Sequence, residues 1–352
     1  MPQRKHFHTQ RSLSSKTTSP APSGKTGLRN GLAYAALMVF TLIAYVNAWP
    51  DHLAFDDRVF ADSSRFSGLS PGDVLRFFTE DLWAASGDDS NLYRPLLLLV
   101  IAAESQVFGG WMAGYHLVNI GLHVLATLLV YGFISQLLQS CGRQRGEARQ
   151  FALMAALLFG VHPIHTEVVN SVFNGSEILV TIGVVGGLKW FLDCQDKQPA
   201  RAWVGLNFIY LLVLFCRESG AALPLLTVAI IWLTGVDSWQ RRVRACVPVV
   251  SLLLPLGIYL ALRSHALGAE AVRQESISLA RYGMDFGLAK LLPAVGMWFE
   301  AWKIQLWPHP LQIYYDHPQT SIWLALAAQM AVLVSAVVAY VHKRPLFLIG
   351  LV

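Results

Sequence analysis

"GLAYAALMVFTLIAYVNAW", Gly31 to Trp49, is followed almost at once by "HLAFDDRVFADSS", His52 to Ser64. The first stretch is about 19 apolar residues, enough for one helix to cross a hydrocarbon core of about 30 Å. It exceeds a signal-peptide h-region and has no small-residue cleavage site in a suitable place, so it reads as an uncleaved first span. The second stretch sets two adjacent carboxylates, Asp56 and Asp57, at the mouth of that span. The rest of the chain follows the same plan of long apolar runs with polar residues gathered at their ends.

Composition agrees. The 352 residues are 54% hydrophobic and only 14% charged, with a mean hydropathy of +0.45, whereas soluble domains carry about a quarter charged residues. The fold class is therefore an all-α multi-spanning membrane protein, held in the lipid bilayer. Residues 1–30 contain Arg4, Lys5, Arg11, Lys16, Lys25 and Arg29, no acid, and many Ser, Thr, Pro and Gly. They read as a disordered basic tail on the cytoplasmic side, lacking the amphipathic pattern of a transit peptide. The net charge of +5 does not point to nucleic acid, because it sits in this tail and in short loops, as the positive-inside rule requires. Cys141, Cys194, Cys216 and Cys246 have neither metal-site nor disulfide-framework spacing.

Apolar segments lie at 31–49, 95–108, 115–138, 151–168, 177–193, 202–216, 219–234, 246–263, 286–307, 321–341 and from 345 onward. If all of them crossed, the Arg-rich loop "CGRQRGEARQ" (Cys141 to Gln150) would fall outside, against the charge rule. Placing the short segment "RPLLLLVIAAESQVFG" (Arg94 to Gly109), which carries Glu104, on the outer surface as a juxtamembrane helix removes the conflict. Arg143, Arg145, Arg149, Lys197, Arg201 and "SWQRRVR" (Ser238 to Arg244) then lie in the cytoplasm. The acidic loop 50–94, the turns "HPIHTEVVNSVFNGSE" and "CRESG", and region 264–320 lie outside. The same parity keeps 286–307 from crossing. Residues 31–352 thus form one membrane domain whose first outer loop is 50–114. The closing "PLFLIGLV" reads as the start of another span, so the domain is expected to continue past Val352. No internal repeat is visible.

This topology brings the polar clusters to one side. They are Asp56 and Asp57; Arg94 in "NLYRPL"; His116, Asn119 and His123 on one face of a helix; His162, His165 and Glu167 in "HPIHTE"; Glu177; and Arg217 with Glu218. Ionisable groups at membrane depth cost about 2.5–3.5 kcal/mol each on insertion scales, so they face cavities or partners. Together they predict one polar, outward-facing cavity. Plainer roles exist for each: adjacent acids also serve as charged flanks or helix caps, and His and Asn also bond between helices. Arg217 and Glu218 can form a self-neutralising pair. The HxxH of His162 and His165 lacks the spacing and the Glu of HExxH zinc sites, so capping is the simpler reading. Asn174-Gly175-Ser176 matches a glycosylation sequon.

In order, "FDD", "NLYRPLLLL", "YHLVNIGLHVLATLLVY", "LLFGVHPIHTEVV", "SEIL", "CRESG" and "LWPHPLQIYYD" resemble the membrane domain of the transmembrane and tetratricopeptide-repeat (TMTC-like) O-mannosyltransferases and their bacterial relatives. Those are multi-spanning GT-C glycosyltransferases. The similarity covers about residues 30–352, most specifically the block from "HLVN" to "HPIHTE"; Arg217-Glu218 stands where relatives often read Lys-Glu, and the family's repeats have no counterpart here. The resemblance implies a GT-C-like helical bundle with outward-facing juxtamembrane helices. It also implies transfer of a sugar, usually mannose, from a polyprenyl-phosphate sugar donor to a protein acceptor's hydroxyl on the periplasmic or lumenal face, most readily of a bacterial inner membrane. The acidic motif after the first span gives the catalytic roles to Asp57 and Asp56, with Asp57 preferred.

Displacement at the anomeric carbon needs an in-line acceptor oxygen, a carboxylate to take its proton and positive groups on the departing phosphate. Arg94, Arg217, His165 and, by position, Arg263 are the phosphate candidates. His116, Asn119, His123, His162, Glu167, Glu177 and Glu218 would line the cavity. One step with the acceptor attacking predicts inversion. A phosphate leaving group requires no cofactor, although paired acids leave room for a divalent cation. A transporter or lipid flippase would share a polar cavity, but usually with inverted repeats and paired broken helices, neither of which is seen. A non-catalytic membrane scaffold is the remaining class.

Overall fold

The computed structural model describes residues 23–48, 57, 66, 69–84, 91–234, 239–281, 288–309, 311 and 321–341. Among them every regular element is helical. The helices are α1 (Ser23–Ala44), α2 (Pro71–Arg76), α3 (Pro95–Phe108), α4 (Met112–Ser140), α5 (Arg145–Val161), α6 (Thr166–Asn170) and α7 (Gly175–Cys194). They continue as α8 (Pro199–Cys216), α9 (Leu223–Thr234), α10 (Trp239–Cys246), α11 (Leu253–Arg281), α12 (Leu288–Leu306) and α13 (Ile322–Val341). α1 begins at Ser23, so the helix takes in the end of what reads as a tail in sequence.

Among the described residues three helical stretches are long and apolar enough to cross a membrane: Met112–Ser140, Pro199–Cys216 and Val243–Gly268. Arg145–Val161 with Pro163–Asn170 would make a fourth if the two are one broken span, bent by 43°. The sequence predicts one continuous segment there, and the break has a local cause. Proline disfavours helical backbone in the residue before it, and His162, preceding Pro163, is extended at φ −69°, ψ 127°. α3 has 14 residues, about 21 Å at 1.5 Å per residue, too short for a hydrocarbon core. That length fits the juxtamembrane placement.

Small residues let the helices approach. Ala148, Ala152, Ala156 and Gly160 repeat at i+4 on α5 and are all buried. A Cβ added to Gly160 would lie 2.5 Å from Thr41 Oγ1 of α1 and 2.9 Å from Thr127 Cγ2 of α4. On α7, Gly183 and Gly187 form a GxxxG face against α8, where added Cβ atoms would meet Val213 and Ile209. Such stripes drive helix association where lipid supplies no hydrophobic difference.

The loops segregate into two sets. At one end, α4 stops in a Schellman turn: Arg143 N–H reaches Leu138 O at 3.0 Å and Gly142 N–H reaches Gln139 O at 2.9 Å. Gly142 supplies the required positive φ of 83°. There Cys141 lies against Leu233 O, and Gln136 and Lys189 both bond Asp193. At the opposite end, the start of α3, the chain between α5 and α7, and the α8–α9 junction come together. Phe66, Phe77, Leu82, Leu97, Leu98 and Ile101 form a separate apolar core that fixes the described residues between α1 and α3 to α3.

Candidate functional site

Asp57 is completely buried. Its Oδ1 accepts the Phe173 N–H at 2.8 Å and the Ser171 hydroxyl at 3.0 Å. Oδ2 is also buried and has no hydrogen-bond partner among the described residues. Burial pushes the carboxyl above its ordinary value, opposed by hydrogen bonds from Phe173, Val172 and Ser171 and by nearby His116. One oxygen is thus held while the other keeps its lone pairs and a raised proton affinity. Asp56 lies outside the described residues.

The donors to Asp57 come from the turn after α6, which Asn119 of α4 holds in place. Asn119 Nδ2 donates to Ser171 O at 2.7 Å and to Val169 O at 3.4 Å. Asn119 is therefore engaged with backbone. His116, one turn toward the start of α4, is buried beside Asp57. His123, one turn beyond Asn119, contacts Gly160 O through Nε2 at 3.1 Å, which requires the proton on Nε2.

Arg94 sits at the junction before α3, 5% exposed. Asn91 opens the turn with a positive φ of 57°, a conformation Asn tolerates, and Tyr93 is pinned through its hydroxyl to Phe78 O at 2.9 Å. Arg94 grips Glu218 Oε2 with Nε at 3.3 Å and Nη2 at 3.1 Å. Its guanidinium carbon lies 5.6 Å from the centre of the Phe173 ring. Nη1 is buried without a hydrogen-bond partner among the described residues. A second pair stands alongside: Arg217 Nε meets Glu177 Oε1 at 2.8 Å, and Arg217 Nη1 donates to Ser176 Oγ at 3.3 Å. Ser219 donates to Glu177 Oε2 at 3.0 Å. Arg263 donates to Asn91 O at 3.3 Å, bracing the turn that carries Arg94.

Glu177 also borders a cleft with His123, Phe159, His165, Val168 and Ile178. His165 stacks on Phe159 at 4.5 Å and lies 5.1 Å from His123. It lies in the turn between α5 and α6, where an imidazole can hydrogen-bond a phosphate or hydroxyl. His162 caps the turn, its Nδ1 accepting from Ile164 N–H at 3.2 Å. Glu167 is exposed and accepts from Asn174 at 3.4 Å. Among the described residues no three His, Cys, Asp or Glu side chains group as a cation site would need. Most of "LWPHPLQIYYD" lies outside the described residues.

Sequence reasoning misses Phe173 and Ser171. Phe173 looks like one more core residue, and its contribution to Asp57 is a backbone N–H, which side-chain chemistry does not announce.

Fold and site define the class: an all-α membrane protein with buried acid and arginine groups gathered at one end of its bundle. No family model matches the chain, and no solved structure matches it. Curated proteins do match. "Protein O-mannosyl-transferase F38B6.6" of Caenorhabditis elegans is 28% identical over 282 residues, 77% of this chain and 37% of that protein. Drosophila melanogaster "Protein O-mannosyl-transferase Tmtc3" is 29% identical over 54% of this chain and 23% of its own length. Human "Protein O-mannosyl-transferase TMTC1" is 35% identical over 119 residues, 32% of this chain and 13% of its own length. The chain is related to the TMTC-like O-mannosyl-transferases, as its motifs indicate, and spans little more than a third of the first of these proteins and less of the others.

Proposed function

We propose that the chain is a glycosyltransferase of the GT-C class that moves a sugar, mannose by relationship, from a polyprenyl-phosphate carrier to a protein hydroxyl. The reading rests above all on Asp57, whose Oδ1 is fixed by Ser171 and Phe173 while Oδ2 keeps its acceptor capacity. Such a carboxylate suits a general base: held in place, desolvated and raised toward working pH. In the reaction, the acceptor oxygen bonds to the anomeric carbon as the carbon–oxygen bond to the phosphate breaks. The acceptor proton passes to Asp57 Oδ2, and the bonding pair leaves with the polyprenyl phosphate. The configuration inverts.

Arg94 and Arg217 are the groups to stabilise the departing phosphate. Arg94 already forks onto a carboxylate, the geometry that also recognises phosphate oxygens. Its place over Phe173, whose backbone holds Asp57, puts cation and base on either side of one residue. His165 and Glu177 supply hydrogen bonds in the adjoining cleft. Asp57 is completely covered, so acceptor access needs the covering chain to move. We assign the site to the outer face, periplasmic in a bacterial inner membrane or lumenal in a eukaryotic one. The charge rule places the opposite end, with Arg143, Arg145 and Arg149, in the cytoplasm.

The test is transfer from labelled polyprenyl-phosphate mannose to a Ser/Thr-containing acceptor by the full-length purified protein. The reading requires transfer that Asp57→Asn abolishes. Absence of transfer across donor sugars, or transfer indifferent to Asp57, refutes it. Uptake or lipid scrambling that survives Asp57→Asn would mark a transporter.

A further inference from the structure

We propose that Asn119 is the positioning residue of the Asp57 carboxylate, acting on it through the backbone of residues 169–173. The inference rests on the reading of Asp57 as the base, and it adds a residue that touches neither substrate nor base.

The connection is continuous. Asn119 is buried on α4, and one amide nitrogen bonds two carbonyls two residues apart, Val169 O and Ser171 O. Those carbonyls flank the end of α6, where the chain leaves the helix: Ser171 is extended at φ −112°, ψ 125°. Peptide groups in such a turn have no helical ladder to orient them, so Asn119 supplies the missing donor. With the 169 and 171 carbonyls drawn toward α4, the Ser171 hydroxyl and the Phe173 N–H both reach Asp57 Oδ1. The Ser171 hydroxyl also accepts from Asn174 N–H at 3.1 Å, which closes the turn.

Gly175 makes room for this clamp. A Cβ there would fall 2.6 Å from Asn119 Oδ1, so the first residue of α7 must lack a side chain if Asn119 is to reach the turn. The same turn carries the Phe173 ring against Arg94. Asn119 thus fixes the base through the two donors of the turn, Ser171 and Phe173, and the phosphate-side arginine through one ring.

The consequence is specific in sign. Hydrogen bonds to a carboxylate favour its ionised form, and of the groups facing Asp57, Ser171, Val172 and Phe173 come from this turn while His116 comes from α4. Releasing the turn removes the first set and leaves His116 in place. A merely structural asparagine would change the amount of folded protein, not the titration of one carboxylate.

The experiment compares wild type, Asn119→Ala, Ser171→Ala and the double variant, in nanodiscs. Two readouts are taken: the acid limb of the pH profile of transfer, and a substrate-free infrared titration of the Asp57 carboxyl, assigned by subtracting the Asp57→Asn spectrum. Asn119→Ala is expected to raise the Asp57 titration midpoint by about one pH unit and to lower transfer about 10- to 100-fold, the order of loss that misplaced groups produce. Ser171→Ala moves the midpoint the same way by less, and the double variant moves it no further than Asn119→Ala. Gly175→Ala carries the test if Asn119→Ala does not fold, because its Cβ would fall 2.6 Å from Asn119 Oδ1 and displace the clamp while leaving Ser171 in place, and its midpoint must still rise. An unmoved midpoint in the folded variants overturns the proposal, as does full additivity of the two shifts. Because the infrared titration needs no substrate, a shifted midpoint without any transfer would sink the transferase reading and leave the positioning role standing.

Discussion

Replacing Asp57 with Asn separates chemistry from architecture. Asn keeps an oxygen where Oδ1 accepts from Phe173 N at 2.8 Å and Ser171 Oγ at 3.0 Å, so both contacts survive as neutral hydrogen bonds. Charge-assisted bonds are worth about 1.5–3 kcal/mol against about 0.5–1.5 for neutral ones, so the exchange forfeits about 2–3 kcal/mol over the two. The desolvation of the carboxylate disappears at the same time, and it is the larger influence, because the carboxyl sits above its ordinary value despite those hydrogen bonds. A group whose folded pKa is raised stabilises the fold below its unfolded pKa and loses that contribution as pH rises through the folded one. At pH 7 the wild-type carboxylate is therefore a net cost that the amide does not carry. Asp57→Asn should leave the unfolding midpoint unchanged or slightly higher. Loss of a general base costs about 10²–10⁴ in rate. Thermal unfolding followed by tryptophan fluorescence, set against transfer of labelled mannose by the same nanodisc preparation, measures both. A variant within tenfold of wild-type transfer, or one whose lost activity merely tracks a lowered midpoint, refutes the reasoning.

Three further outcomes follow from the same coordinates. Arg94→Lys exchanges the two-nitrogen grip on Glu218 and the contact with Phe173 for a point charge; donor-dependent transfer should fall by at least tenfold with the acid limb of the pH profile unmoved, and an unaffected rate excludes Arg94 from the phosphate side. Glu104 of α3 is buried, its Oε2 has no hydrogen-bond partner among the described residues, and burial pushes its carboxyl to about 8. Its folded pKa is above the unfolded one, so stability should decline between about pH 4.5 and 8, by at most about 5 kcal/mol, and Glu104→Gln should flatten that decline; an identical slope in denaturation curves of both proteins would contradict the burial. Gly183→Ile places a branched side chain into Val213 across the α7–α8 face; overpacking costs about 1–3 kcal/mol, read as a lower unfolding midpoint in detergent, whereas Gly146→Ala, in open space, should leave the midpoint in place.

Much of the architecture is legible in the sequence because hydropathy and charge act locally. A run such as "YHLVNIGLHVLATLLVY" must be a helix in lipid, since no water is present to satisfy its backbone. For "CGRQRGEARQ" the charge rule gives an expected side of the membrane. The short α3 segment is read as juxtamembrane for the same reason, and its length in the fold fits that reading. The break at His162-Pro163 is present in the sequence as a proline, but an unbroken apolar count passes over it. Asn119 and Phe173 are of another kind. Asn119 reads as a cavity residue because its neighbours His116 and His123 are polar, yet its amide is spent on two backbone carbonyls. Nothing in the letters shows that the turn after α6 lacks donors there.

By itself, then, the sequence determined a helical membrane protein with its polar residues gathered at the ends of apolar runs. Which groups they meet was decided only by tertiary structure. The hydrogen bond from Phe173 to Asp57 joins residues 116 apart, and the grip of Arg94 on Glu218 joins residues 124 apart. Hydropathy marks which segments can enter lipid, because that transfer depends on each segment's own composition. Which helix ends meet depends on the close approach of packed faces, set here by glycines such as Gly160, Gly175 and Gly183, each of which admits side chains from another helix.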